Sequence, residues 1–355
     1  MTFVVKVIVF FLLILITTRR YQKHLYFRFL PYIIVFIFMA IRYDYGDGKS
    51  YRIMFTYLHN GMNIKGVEPL YVWLNRILPS FEAVIVVTSL AYVLLFYYVI
   101  SKVLTYEQRG LALLIMVLHP YILMIDMSAI RQSIAIAIVF CGVYVANRYK
   151  STLFIPFCLV AALFHKSAII LLPIVFMFGK HHLSKKSKWI LFSGTVFFLV
   201  AAPKLVEAVE SILAALKLNT NNYLAYLYSG YTNGIFAIIL SLLIMLFFML
   251  YGDEVEIENA IYVKLSIVAM ILEALQGSIQ SLGRIEMYFL PFFIISVPLI
   301  VKNAQQELTF SINGRVFSLD RKGMMVIETC FILMILWKMS HFMTPQYAYR
   351  TIFSR

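Results

Sequence analysis

Long apolar runs follow one another along almost the whole chain, and short polar or basic clusters separate them. The runs do not alternate polar with apolar positions as barrel strands do, and many approach the length needed to cross about 30 Å of hydrocarbon. A backbone in lipid must satisfy its own N–H and C=O groups, which continuous helices do within one segment. The pattern therefore predicts an all-α, polytopic integral membrane protein with about twelve transmembrane helices, near 2–18, 29–41, 82–100, 110–126, 128–146, 151–164, 167–179, 188–202, 234–251, 260–281, 284–301 and 324–341. Pro120, Pro156 and Pro173 fall in or beside the shorter of these and predict kinks or re-entrant stretches. The main outer loops are expected at 42–80 and 203–233, with a further polar stretch at 302–323. None of the gaps holds a soluble domain, so residues 1–355 read as a single transmembrane domain.

Composition agrees with the pattern: 62% of the residues are hydrophobic and 14% charged, a balance that a soluble globule of this length could not cover with polar surface. The formal net charge of +14 comes from lysine and arginine beside the predicted spans. Arg19, Arg20, Lys23 and Arg28 follow the first; Lys180, Lys185, Lys186 and Lys188 follow the seventh; Lys302, Arg315, Arg321 and Lys322 follow the eleventh. Basic loops stay in the cytoplasm, so these three clusters share that side and both termini are expected outside. The acidic 252–259 loop runs against the rule, although acidic residues weigh little in it. The same cations attract anionic lipid head groups, and no free basic element with interleaved aromatics suggests nucleic acid as a partner. The first apolar run lacks a small-residue cleavage site and reads as a retained helix. Cys141, Cys158 and Cys330 lie in predicted spans without a pairing pattern.

Ionisable residues at span ends or within spans mark water-filled cavities. The Arg42–Asp47 stretch, the Asp126–Arg131 turn, the His165–Lys166 turn and Arg284–Glu286 all map to the outer side, and Glu273 falls in the outer half of its span. His119 and Glu328 read as structural. The chain has no Walker A loop, no His-Glu-x-x-His motif, no Gly-x-Ser-x-Gly elbow and no paired Cys-x-x-Cys site. A carboxylate pair such as Asp44 and Asp47 could hold a hard cation, but the neighbouring arginines make one unnecessary, so no metal and no cofactor are expected.

The segments AIRYDYGDGKSYRIMF (40–55), VEPLYVWL (67–74), SAIRQSIAIAIVF (128–140), LVAALFHKSAIILLPI (159–174) and GRIEMYF (283–289) resemble, in order and spacing, motifs of the EpsG-like, Wzy-type bacterial polysaccharide polymerases. One departure is visible: the family's Asp-Tyr turn reads Asp47-Gly48 here, with Asp44-Tyr45 just upstream. The resemblance implies a glycosyltransferase with a GT-C-like polymerase architecture and short extracytoplasmic loop helices. It would join undecaprenyl-pyrophosphate-linked repeat units into O-antigen or a related surface polysaccharide, on the outer face of the bacterial inner membrane. A chain-length regulator protein would be a further partner.

Such chemistry asks for a base on the acceptor hydroxyl and cations on the departing pyrophosphate. Candidates for the base are Asp47, Glu68 and His165, with Glu273 a further possibility. Candidates for pyrophosphate binding are Arg42, Arg131, Lys166 and Arg284, because the arginine fork grips phosphate oxygens in pairs. Plainer roles compete with each. Asp47 could cap a turn; Glu68 could start a helix; Lys166 could snorkel; Arg284 could anchor at the interface beside Glu286; Glu273 could bond a neighbouring helix. Arg131 opens a helix at the end where a cation is disfavoured, which favours a functional role. The alternatives from other classes are a lipid-linked oligosaccharide flippase or transporter, an O-antigen ligase, or a membrane acyltransferase.

Overall fold

The computed structural model describes residues 25–119, 121–215, 235–276, 279, 282–303, 308–312, 315–319 and 350–351. Over these the chain is helical, with two short antiparallel strand pairs. Its elements are α1 (Leu25–Ala40), β1 (Arg42–Tyr43), α2 (Gly48–His59), α3 (Pro69–Ile77), α4 (Phe81–Val103), α5 (Tyr106–Leu118), α6 (Leu123–Ser128), α7 (Ile130–Arg148), α8 (Phe154–Ala162), α9 (Lys185–Ala215), α10 (Ile235–Tyr251), α11 (Ala260–Gln276), α12 (Leu282–Glu286), α13 (Phe293–Asn303), β2 (Leu308–Ile312), β3 (Arg315–Leu319) and β4 (Arg350–Thr351). A 3-10 helix at Ser151–Leu153 leads into α8, and another at Lys166–Met177 follows it. β1 pairs with β4 in the register Arg42↔Thr351, and β2 with β3 from Leu308↔Leu319 to Ile312↔Arg315.

The expectation of about twelve crossings, and of a GT-C-like architecture built on them, is overturned. Among the described residues, 4 helical stretches are long and apolar enough to cross a membrane: Phe81–Val103, Ile130–Arg148, Ile235–Glu254 and Leu282–Lys302. The protein is a multi-pass membrane protein whose described residues hold fewer full-length spans than their hydropathy suggests. The reason is length. The apolar helices Arg28–Ala40, Ser151–Ala162 and Lys166–Met177 are shorter, and a 12-residue helix covers only about 18 Å as α and about 24 Å as 3-10. The expected 110–126 span is interrupted, since α5 ends at Leu118 and α6 starts at Leu123. The 188–202 stretch is part of the 31-residue α9, which also takes in the first part of the expected 203–233 loop. The 260–281 stretch is the 17-residue α11, about 26 Å long. The predicted spans 2–18 and 324–341, with Glu328 and Cys330, lie outside the described residues.

The chain divides into two compact units, one of Met1–Gly179, Phe293–Leu299 and Ile335–Arg355, the other of Lys180–Phe292 and Ile300–Met334. In the first, α4 is the spine. Ser80 caps it by accepting the Ala83 N–H at 3.1 Å, and an aromatic ladder on its buried side runs from Tyr92 to Phe96 (4.3 Å) and on to Phe140 of α7 (4.7 Å). α7 and α8 approach closely at Gly142, where a Cβ would stand 2.5 Å from that of Phe157. At one end of α4, Tyr51, Tyr71, Leu74, Phe81, Val84, Ile85 and Ile130 form one apolar cluster. This cluster locks α2, α3, α4 and the start of α7 together.

In the second unit α10 packs on α11, and the tight turn between them depends on Gly252, whose Cβ position lies 2.4 Å from Val263. Lys188 Nζ ties α9 to this turn by donating to Met249 O and Asp253 Oδ2, each at 2.6 Å. The acidic 252–259 loop thus faces the basic 180–188 segment, with Lys180 3.7 Å from Glu258.

Candidate functional site

Glu68 is the hub of the first unit's polar centre. Pro69 starts α3 immediately after it, so Glu68 occupies the N-cap position in extended backbone conformation, and its side chain does not cap its own helix. The carboxylate reaches across the chain instead. Oε2 accepts from Arg131 Nη1 at 2.6 Å, Oε1 accepts the Lys166 backbone N–H at 3.1 Å, and His165 Nδ1 stands 3.5 Å from Oε1. Lys166 begins the 3-10 helix, whose first N–H groups have no partners within that helix, so Glu68 serves as an anionic cap delivered from elsewhere in the chain. The join is reciprocal, because the Leu70 N–H in the first turn of α3 donates to Leu163 O at 3.1 Å.

Glu68 is 6% exposed. Burial pushes its pKa up, but the contact with His165, the Lys166 amide and the Arg131 guanidinium outweigh burial and hold it at about 2. A carboxylate so stabilised is a poor proton acceptor near neutrality and a strong anchor for neighbouring donors.

Arg131 enters from the first turn of α7, just after the break at Ala129 that ends α6. Its guanidinium carbon lies 5.9 Å from the ring centroids of both Tyr51 and Tyr71, rings that meet edge to face at 6.0 Å. Glu68 engages Nη1, while Nε makes no hydrogen bond among the described residues. Burial raises the pKa of both tyrosines, so they remain neutral donors and π faces. Carboxylate and aromatic faces together offset the helix-dipole penalty that the sequence position of Arg131 implies.

A second cluster lies in the same unit. Asp44 adopts a left-handed backbone with φ 46°, and its Oδ1 accepts from Arg52 Nε at 2.9 Å while Arg52 Nη1 donates to Glu82 Oε1 at 2.8 Å. The Arg52 guanidinium also stands over the rings of Tyr43 (4.7 Å) and Phe81 (4.9 Å). Asp47 sits at the N-cap of α2 without a side-chain capping bond, and its N–H donates to Ser128 Oγ at 3.1 Å.

The structure therefore joins Glu68, Arg131, His165 and the amide of Lys166 within the first unit. The Lys166 side chain is exposed; its contribution to the cluster is main-chain. Asp47 is exposed, and its side chain makes no capping bond to α2. Arg42 is buried, with Nη1 donating to Met39 O and, at 2.9 Å, to Ser89 Oγ. Arg284 and Glu273 belong to the second unit, Arg284 exposed on the short α12 and Glu273 buried in α11. Sequence reasoning passed over Arg52, Tyr51, Tyr71 and Ser128. A signal for Arg52 was present, since an arginine sits eight positions after Asp44 inside the motif already singled out. Among the described residues no group of three or more His, Cys, Asp or Glu side chains gathers as a metal site.

The family match places the chain in a class of membrane proteins of polysaccharide biosynthesis. The chain belongs to the EpsG family, whose match covers residues 25–343. Family membership supports polysaccharide polymerisation of glycosyltransferase type, acting on lipid-linked glycans, at the level of the family. No curated protein and no solved structure is significantly similar to the chain.

Proposed function

We propose that the Glu68–Arg131–His165 cluster is the catalytic centre of a polymerase that joins undecaprenyl-pyrophosphate-linked repeat units on the outer face of the inner membrane, building O-antigen or a related surface polysaccharide. The observation that carries this reading is the single buried carboxylate that holds an arginine and a histidine from distant parts of the chain at 2.6 and 3.5 Å. Glycosyl transfer needs those two partners side by side. The acceptor hydroxyl attacks the anomeric carbon of the donor glycan, the bond from that carbon to the pyrophosphate oxygen breaks, and the hydroxyl proton passes to a base.

His165 is the base in this reading. Glu68 Oε1 stands 3.5 Å from Nδ1, so that edge of the ring faces the carboxylate and Nε2 is the acceptor nitrogen. Arg131 presents its remaining donors to the departing pyrophosphate, a role suited to a planar, permanently charged group. Glu68 is a positioning residue, because its low pKa removes it as a base. The reaction needs no metal in this reading.

Purified protein reconstituted with lipid-linked repeat units tests the reading. The wild type is expected to give a ladder of chain lengths with release of undecaprenyl pyrophosphate, and His165→Ala is expected to lose on the order of 10²–10⁴-fold in rate. A full ladder from His165→Ala would remove it as the base. A protein that moves repeat units across the bilayer without lengthening them would be a flippase, and one that transfers finished chain to lipid A core a ligase.

A further inference from the structure

Helix α3 presents two faces of opposite chemistry. Tyr71, Leu74 and Asn75 are buried, with Glu68 just ahead of them. At about 100° per residue, Trp73 and Ile77 fall on the far side from Glu68 and Tyr71, and they are 58% and 53% exposed. Tryptophan and isoleucine four positions apart on an open helix face form an apolar ridge on one side of a helix whose other side carries the polar centre.

The position of that ridge follows from chain connectivity. Ile77 ends α3, and Phe81 begins the full-length span α4. Four residues reach at most about 14 Å, so Ile77 lies within that distance of the end of the span. The 23 residues of α4 make about 35 Å of helix, slightly more than the hydrocarbon thickness of about 30 Å, which brings the Phe81 end to the head-group layer. α4 itself exposes Val86, Val87, Leu90 and Leu94 along one face. Exposed Arg76 donates to Gly61 O at 3.4 Å and to Asn63 Oδ1 at 2.9 Å.

From the exposed ridge and its short link to the span we infer that α3 rests on the bilayer surface, with Trp73 and Ile77 seated in the boundary between phospholipid head groups and acyl chains. Tryptophan favours that layer because its ring is apolar and its N–H finds a polar partner there. The anchor fixes the height of the first turn of α3, and with it Glu68, relative to the lipid surface. It stands independently of the glycosyl-transfer reading, because its test reads position in the membrane and not turnover.

Full-length protein in phospholipid nanodiscs, with Trp189→Phe and Trp337→Phe leaving Trp73 as the sole tryptophan, provides that test. Phosphatidylcholine brominated near the ester end of its chains is expected to quench roughly half of the Trp73 emission. Bromine at the chain ends should quench less, and iodide in the water should quench little. Quenching by iodide without quenching by brominated lipid would place α3 in water and overturn the inference; quenching by neither would mean that protein covers the ridge, which also overturns it. The unsubstituted protein gives an independent reading. A photoactivatable lipid with its diazirine near the head group should leave adducts on the Pro69–Ile77 peptide, and their absence while the α4 peptide is labelled would contradict the anchor.

Discussion

One glutamate holds the first unit's polar centre together, and its ionisation gives that centre a definite pH response. The Glu68 pKa is held at about 2, below the ordinary value of about 4.3 for glutamate in an unfolded chain. A depressed folded-state pKa contributes stability that is complete above the unfolded value and is lost as pH falls through the folded one. Between about pH 4.5 and 2, wild-type protein in detergent should therefore lose thermal stability, while Glu68→Gln, already less stable at neutral pH by about 1.5–3 kcal/mol, should change less over the same window. The two melting curves are expected to converge toward pH 2. Parallel acid responses of the two proteins would show that Glu68 does not carry the ion-pair energy assigned to it.

Glu68 and Arg131 were both legible in the sequence as candidates, because a charged residue at a span end or helix start has few plain explanations. Their pairing was not, since the two are 63 positions apart and nothing in either segment names the other. Lys166 shows a different limit: the sequence drew attention to the right position, but the group that meets Glu68 is the backbone N–H, which every residue except proline possesses. For Arg52 the signal was present and overlooked, because attention went to the aspartates around it.

At the scale of elements, the turn between β1 and α2 is set by steric fit. Gly46 has φ 56°, and a Cβ there would lie 2.1 Å from Ser128 Oγ, so the turn backs directly onto the end of α6. Both the left-handed backbone and the contact disfavour any side chain. Gly46→Ala is expected to destabilise the protein by more than the roughly 1 kcal/mol typical of glycine replacement in such a conformation, visible as reduced yield of folded protein and a lowered Tm. Adding Ser128→Gly should recover part of the loss by removing the obstructing hydroxymethyl group. Equal Tm for Gly46→Ala and wild type would show that the turn can move away from α6. Hydropathy could not resolve this level, because short helices such as α1, α8 and the 3-10 helix at Lys166–Met177 have the same apolar content as pieces of true spans. Length separates them, and only the fold shows where each helix stops.

At the scale of the whole molecule, membership of the EpsG family and a multi-pass membrane architecture are established, and both were legible from motif order and from the density of apolar runs. The number of full crossings was not, because a membrane-protein core holds apolar helices too short to span as well as those that span. The proposed catalytic centre requires that the Glu68 carboxylate couple Arg131 and His165 into one unit. A double-mutant cycle on initial rates of glycan extension tests it most directly, using Glu68→Gln, Arg131→Lys, His165→Gln and their pairwise combinations in purified, reconstituted protein. If the residues act together, each single substitution costs on the order of 10²-fold or more, and the double variants lose little beyond the worse of their two parents. Losses that simply multiply in the double variants, or single variants as active as wild type, would contradict the coupling and with it the site.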